Sequence, residues 1–286
     1  MDGVLVIDKP AGMTSHDVVD RIRKTFKTRK VGHAGTLDPD ATGVLILGIG
    51  RATRFLAYSQ TAPKRYEAVA RFGITTSTQD ASGEVISEAE ATFTEDDLRD
   101  ALDGFRGEIE QIPPMVSAVK VGGERLYKKA RRGEEVERAA RKVTISDLDL
   151  RAFVPGANPE ATLDVTCSGG TYVRTLVHDL GDALGCGAHL VILRRTEAGG
   201  FTVEDAIPLD DVVPESLRPL ADSVRQLQHR TPSAEDAEHI RHGRAVAPED
   251  LDAEEGAFVA FVKDGDLLAV YRREGDRLRP DRVVSS

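Results

Sequence analysis

Cysteine is nearly absent from this 286-residue chain, which carries only Cys167 and Cys186. The two form no CxxC pair, and no His/Cys spacing of a metal site surrounds them. A disulfide-dense scaffold and a zinc-finger type of centre are therefore excluded. Two thiols in a chain of this length fit a reducing cytoplasm, with both side chains buried and inert. Long apolar runs are missing too. The longest charge-free apolar stretch, Val44 to Gly50, falls well short of the roughly 20 residues a membrane span needs. Val4 to Ile7 is apolar, but Asp8-Lys9-Pro10 ends that run too soon for a signal peptide. No internal repeat and no low-complexity tract is visible. No Gly-Lys-Ser/Thr closes a glycine-rich loop and no G-x-G-x-x-G opens a helix, so the familiar phosphate cradles are absent as well.

What remains reads as an ordinary water-soluble chain, 40% hydrophobic and 30% charged. Its length favours one large domain plus a small one. The formal net charge of −10 argues at first against a nucleic-acid partner. Net charge, however, sets long-range repulsion, whereas phosphate contacts depend on local patches. Positive charge is grouped here. Arg21, Arg23, Lys24, Lys27, Arg29 and Lys30 crowd one acid-free stretch. A second group runs through Lys120, Arg125, Lys128, Lys129, Arg131, Arg132, Arg138, Arg141 and Lys142, while acid gathers between Glu204 and Asp281.

The element pattern is mixed. Val4–Ile7 reads as a buried strand, and Thr14 or Ser15 caps a helix over Asp17 to Phe26. Tyr66 to Ile74 reads as a strand, and Thr94 with Asp97 forms a capping box opening a helix from Glu95 to Phe105. Leu163 to Cys167 is a further strand, leading into a helix from Tyr172 to Leu184. Without βαβ periodicity the expected class is α+β. Gly122 to Lys142 is basic with little apolar periodicity, which suits an insertion that orders on a partner. A boundary is expected within Pro208 to Pro232. Beyond it come a capped helix, Ser233 to His242, and a hairpin of Phe258–Val262 and Leu267–Tyr271 around Asp264-Gly265, so a small β-barrel is expected.

The most informative stretch is Gly32-His33-Ala34-Gly35-Thr36-Leu37-Asp38-Pro39-Asp40-Ala41-Thr42-Gly43. Glycine admits backbone conformations that other residues avoid, and Pro39 keeps Asp38 out of the helical region. The apolar run Val44–Leu47 follows as a buried strand. A carboxylate on such a rigid loop suits a nucleophile or base that must not wander. Read alone, the loop also fits a plain turn in which Asp38 caps local N–H groups.

The whole string resembles the central motif of the bacterial tRNA pseudouridine-55 synthases, the TruB family. Lys9-Pro10-x-Gly12-Met13-Thr14-Ser15 is similar to the family's N-terminal motif, and Lys64-Arg65-Tyr66-Glu67-Ala68 to its second. Pro113 to Lys120, Cys167 to Arg174 and Leu193-Arg194-Arg195-Thr196 complete the set in the expected order. Two departures stand out: Asp40 replaces an apolar residue of many relatives, and Gly169 a basic one.

The resemblance implies a pseudouridine-synthase catalytic domain over 1–212, with a mixed or antiparallel sheet and flanking helices. It also implies an RNA-clamping thumb at about 120–142 and a PUA-like β-barrel over 230–286. The implied reaction turns one uridine of the tRNA T-loop, at position 55, into pseudouridine after the base is flipped out. Asp38 would be the nucleophile, either capturing C1′ covalently or removing a C2′ proton to give a glycal. Arg174 would keep Asp38 ionised. Tyr66 would stack on the uracil and help move the C5 proton, Tyr172 line the pocket, and Leu193 cover the base. His33 would fill the gap left by the extruded nucleotide, and Lys9 steady the loop near Tyr66. Lys120, Lys128, Lys129, Arg131 and Arg132 would meet the RNA backbone. No metal or redox cofactor is called for. The expected partner is the T-arm of tRNA, with no membrane and no protein partner, for a cytoplasmic monomer. The alternative is an RNA-binding protein that assists tRNA folding without turnover. A nucleoside hydrolase is disfavoured, since broad basic surfaces serve no purpose on a free nucleoside.

Overall fold

The computed structural model describes residues 1–115, 120–121, 124–125, 132, 136–247 and 252–284. In chain order the first strands are β1 (Gly3–Lys9), β2 (Val31–Ala34), β3 (Thr42–Ile49), β4 (Lys64–Phe72), β5 (Ile74–Thr76) and β6 (Val85–Glu88). Next come β7 (Gly107–Gln111), β8 (Lys120–Val121), β9 (Glu124–Arg125), β10 (Arg141–Val154), β11 (Glu160–Cys167) and β12 (Ala188–Ala198). The last are β13 (Phe201–Thr202), β14 (Ile207–Pro208), β15 (Gln228–Arg230), β16 (Phe258–Lys263), β17 (Asp266–Glu274) and β18 (Arg277–Val283). The α-helices among the described residues are α1 (Ser15–Thr25), α2 (Leu56–Thr61), α3 (Glu95–Asp103), α4 (Val173–Ala183) and α5 (Ala234–Arg241). Helices interrupt runs of antiparallel strands, as expected for α+β.

The chain forms two compact units. The first comprises Met1–Pro39, Gly43–Ala62 and Ala198–Ser286, the second Asp40–Thr42 and Pro63–Glu197. In the first unit β1 pairs antiparallel with β3 along its whole length, from Gly3↔Ile49 to Lys9↔Gly43. β14 adds to β1 in parallel, and β2 pairs antiparallel with β3. This mixed sheet carries the first core, where Val4, Val44, Ile46 and Phe201 are fully buried. Helix α1 starts two residues before the expected Asp17 because Thr14 is its cap. The Thr14 hydroxyl accepts from the Asp17 N–H at 3.1 Å, and the Asp17 carboxylate takes the Thr14 N–H at 2.9 Å. That reciprocal pair satisfies two N–H groups that a helix start otherwise leaves open.

The same unit contains a four-stranded sheet in the order β15–β16–β17–β18. The expected hairpin is there, and both turn residues have positive φ, Asp264 at 52° and Gly265 at 85°. Two such residues give the type I′ turn whose twist matches the flanking strands. The expected barrel is not closed: no pairing joins β18 to β15 among the described residues. Four strands, one of three residues, are too few to wrap round a filled interior. The sheet is covered instead by a cluster of Phe55, Tyr58, Val224, Ala260, Leu267 and Val270. Tyr58 on α2 meets Phe258 edge to face at 5.1 Å and donates its hydroxyl to Asp281.

In the second unit the strand order is β12–β4–β11–β10–β7. β4, β11, β10 and β7 are consecutive antiparallel neighbours. Alternation along β4 buries Lys64, Tyr66, Ala68, Ala70 and Phe72 and turns Arg65 and Glu67 outward. Outside, Asp164 of β11 takes Arg65 at 2.6 Å from one side and Arg151 at 2.5 Å from the other. The long strand β10 begins at Arg141, where composition suggested the end of an insertion. Most of that insertion lies outside the described residues. Helix α3 has the expected Thr94–Asp97 box. Helix α4 then crowds against the start of β12: a Cβ added to Gly181 would stand 2.2 Å from the Ala188 nitrogen and 2.4 Å from the Gly187 carbonyl carbon. Those neighbours are backbone and cannot swing aside. Gly181→Ala is therefore expected to destabilise the fold by roughly 3 kcal/mol, the upper end for overpacking, despite alanine's better helix propensity. A urea midpoint equal to or above the parent's would refute the close approach.

Candidate active site

Asp38 lies half-buried in an irregular loop between β2 and β3. Gly35 (φ 89°) and Gly43 (φ 98°) bend the chain at the two ends of that loop, in a region that side chains disfavour. Gly32, by contrast, is an ordinary strand residue opposite Gly48. The residues on either side of Asp38 are tied down individually. The Ser15 hydroxyl donates to the Leu37 carbonyl at 3.2 Å and accepts the Leu37 N–H at 2.9 Å. Lys9, with no exposed surface, donates its ammonium to the Pro39 carbonyl at 2.8 Å and to Pro10 at 2.7 Å. Both clamping groups come from the Lys9–Ser15 motif. His33 is on β2 opposite Leu47, and its carbonyl accepts from the Gln60 amide at 3.4 Å. Lys9, His33 and Asp38 thus belong to the first unit.

Tyr66, Tyr172, Arg174 and Leu193 belong to the second. Tyr66 is 7% exposed on the inner face of β4, opposite Val165 of β11. Leu193 lies on the neighbouring β12 and is buried. Tyr172 is the residue before α4. Its N–H donates to the Gln111 side chain at 3.1 Å, and its carbonyl accepts from the same amide at 3.3 Å. The Arg141 guanidinium lies over its ring at 4.3 Å and donates to the Gly170 carbonyl. Arg174, 3% exposed, donates to the Thr78 carbonyl at 3.0 Å and to the Asp80 carboxylate at 3.2 Å.

Asp80 has no counterpart among the residues that the sequence singles out. Its other carboxylate oxygen accepts from the Thr78 hydroxyl at 2.6 Å, the Ser82 N–H at 3.0 Å and the Ser82 hydroxyl at 2.5 Å. The neighbouring Gln79 has φ 62°, and its amide oxygen accepts from the Thr175 hydroxyl at 3.0 Å. This hydrogen-bonded loop presents one carboxylate oxygen to the arginine. The available signal was Thr78-Gln79-Asp80-Ala81-Ser82-Gly83, where an Asp two residues before a Ser marks a side-chain-closed turn. Of the expected backbone contacts, Lys128, Lys129 and Arg131 lie outside the described residues, Lys120 falls in β8, and Arg132 is exposed.

The inner face of β4 carries a buried cation to which the resemblance assigns no role. Lys64 is 5% exposed, in register with Cys167 of β11. Burial first, and then the Arg195 guanidinium, push its ammonium down to about 8, against a smaller opposing pull from Cys167. Burial likewise pushes the Cys167 thiol up to about 11, which makes it a poor nucleophile. Because the Lys64 ammonium titrates near 8 when folded and at 10.5 when unfolded, the unfolded chain holds the extra proton between those values. Stability should therefore rise with pH across that window. Lys64→Met is expected to remove this rise. Urea midpoints measured for both proteins from about pH 7.5 to 10.5 should converge in favour of the parent; parallel curves would show that Lys64 does not carry the penalty.

Comparison with known proteins places the chain in a family. The TruB family pseudouridylate synthase N-terminal domain matches residues 23–173. The tRNA pseudouridylate synthase B C-terminal domain matches 174–227, and the tRNA pseudouridine synthase II C-terminal domain 228–285. A tRNA pseudouridine synthase B of Mycobacterium sp. (strain KMS) is 48% identical over 94% of this chain and 91% of its own length. One from Pseudomonas paraeruginosa is 56% identical over 73% of this chain and 68% of its own. Among solved structures, a Cbf5–Nop10–Gar1 complex contains a chain with TM-score 0.76 and 28% identity, covering 98% of this chain and 84% of that one. Among the described residues no helix is long and apolar enough to cross a membrane. With a family model over more than half its length and relatives this similar over nearly all of it, the chain belongs to the TruB family of pseudouridylate synthases.

Proposed function

We propose that this protein isomerises uridine 55 in the T-loop of tRNA to pseudouridine, with Asp38 as the group that acts on the ribose. The observation that carries the reading is the immobilised Asp38 loop, held at Leu37 by Ser15 and at Pro39 by Lys9. The reaction breaks the C1′–N1 bond, turns the base and joins C1′ to C5, so nothing is oxidised and no group is imported. A carboxylate placed against the sugar either captures C1′ or takes a C2′ proton, and both routes require it ionised and fixed. Arg174 supplies positive charge for that purpose and is itself oriented by Asp80. Tyr66 stacks on the flipped uracil and assists the proton leaving C5, Leu193 covers its other side, and Tyr172 lines the pocket. His33 occupies the space vacated in the RNA. The insertion at about 120–142 clamps the backbone. The protein acts on its own in the cytoplasm, as a monomer.

The decisive assay incubates purified protein with an unmodified tRNA transcript and maps pseudouridine chemically. Product at the T-loop uridine is expected from the parent. Asp38→Asn should give none in a single turnover while keeping tRNA affinity within a few-fold, because the amide preserves shape but cannot attack or take a proton. Binding without product by the parent would favour a tRNA-folding role instead.

Ser15→Ala tests the clamp. It leaves the buried Leu37 N–H without its acceptor, a loss of about 1–3 kcal/mol at the loop. We expect the single-turnover rate to fall at least tenfold with tRNA affinity unchanged. A drop in affinity with an unchanged rate would show that the loop is not the part being held for chemistry.

A further inference from the structure

The turn between α1 and β2 carries a group of cations that the proposed chemistry does not use. Lys24, Lys27, Arg29 and Lys30 are all exposed, and among the described residues no carboxylate pairs with any of them. The nearby acids are already occupied: Asp20 holds Arg23 at 2.9 Å, and Asp210 holds Arg21. Favourable interaction with the C-terminus of α1 accounts for Arg23 and Lys24. It does not account for Arg29 and Lys30, which lie beyond the helix end. Solubility does not account for them either, because the chain as a whole is at −10.

The turn is also rigid. Helix α1 ends with the Lys27 N–H on the Lys24 carbonyl at 3.3 Å and the Thr28 N–H on the Arg23 carbonyl at 3.1 Å. That is the bonding pattern of a Schellman motif, and it puts Lys27 at the position where glycine is strongly favoured. Lys27 has φ 49°, so a lysine is kept in a conformation that a side chain strains. Past it, the Lys30 N–H bonds the Thr28 hydroxyl at 3.3 Å, and the Lys30 carbonyl accepts the Gly50 N–H at 2.8 Å. Strand β2 follows at once, paired to β3, and ends at Ala34, next to the loop that holds Asp38. Four residues of strand place the cations about 13 Å from the start of that loop. Cations this close to one another, within about one Debye length, act as a single patch.

We propose that the α1–β2 turn is a contact surface for the phosphate backbone of the RNA substrate, made by Lys24, Lys27, Arg29 and Lys30. It rests on the reading that the substrate is tRNA, and it is separate from the insertion at about 120–142. Rigidity lowers the entropy lost on binding, and a fixed turn joined to β2 sets the register of the RNA relative to the Asp38 loop.

The test uses full-length protein and unmodified tRNA transcript, with affinity measured from about 50 to 200 mM salt. Lys24→Gln/Arg29→Gln/Lys30→Gln should flatten the log K against log salt slope by about 0.7–0.9 for each phosphate no longer neutralised. Lys27→Gly separates binding from folding. It should raise the thermal midpoint, because glycine relieves the positive φ, yet weaken tRNA binding severalfold. Lys27→Arg should retain parental affinity. An unchanged slope in the triple variant, or a Lys27→Gly protein that binds as tightly as the parent, would overturn the proposal. Pseudouridine mapped in parallel with the parent keeps the two ideas apart. Product formation with an unchanged slope removes the contact surface alone, and a parent that binds but makes no product removes the functional reading alone.

Discussion

The site depends on one constraint: the backbone on each side of Asp38 is fixed by a side chain from the N-terminal motif. Lys9 ends β1 and Ser15 begins α1, so neither can reach the loop unless strand and helix are both in place. β1 is in turn zipped to β3, with Lys9 opposite Gly43 at the far end of the same loop. Three elements therefore converge on a segment of a few residues. Burying the Lys9 ammonium is costly unless its donors are satisfied, and the carbonyls of Pro10 and Pro39 are among the groups that satisfy it. A proline carbonyl is a useful acceptor here, since Pro39 has no N–H to compete for a position in a strand ladder.

Fully buried charge has one sign among the described residues. Among the described residues the buried ionisable side chains of Lys and Arg are Lys9, Lys64, Arg174 and Arg195, while no Asp or Glu is buried to the same extent. Each lies in a matched motif. A chain at −10 has thus put its surplus acid on the surface and kept cations inside. The arrangement is not free, as the lowered Lys64 ammonium shows. For a substrate that is a polyanion, an interior of positive sign is the favourable one, because field lines in a low-dielectric setting are less screened than at the surface.

Much of the fold was legible because local signals were strong and consistent. The Thr94–Asp97 box, the Asp264-Gly265 turn and the alternation along β4 each depend on neighbours within a few positions. The barrel was not legible. A hairpin signal says that two strands pair, but closure depends on strand number, which lies outside any local window. Strand β10 was hidden by its own surface: Arg141, Lys142, Asp147, Asp149 and Arg151 give it the composition of a loop. At the candidate site, the glycines and Pro39 around Asp38 marked a constrained loop, whereas Arg174 had no distinguishing local pattern beyond the resemblance. Asp80 escaped because its partner Arg174 is 94 positions away. Long-range ion pairs leave no trace in a single sequence.

The turn after Cys167 shows how a side chain from another element can serve two groups at once. It runs Ser168-Gly169-Gly170 and has no basic side chain of its own. Yet a guanidinium does reach this turn, because Arg141 of β10 donates to the Gly170 carbonyl and lies over the Tyr172 ring at 4.3 Å. Gly170 has φ 94°, a conformation that glycine adopts without strain. A cation over an aromatic face contributes about 0.5–1 kcal/mol and fixes the ring plane as well. Positive charge is thus supplied to the turn from the strand, and the same side chain lies against Tyr172.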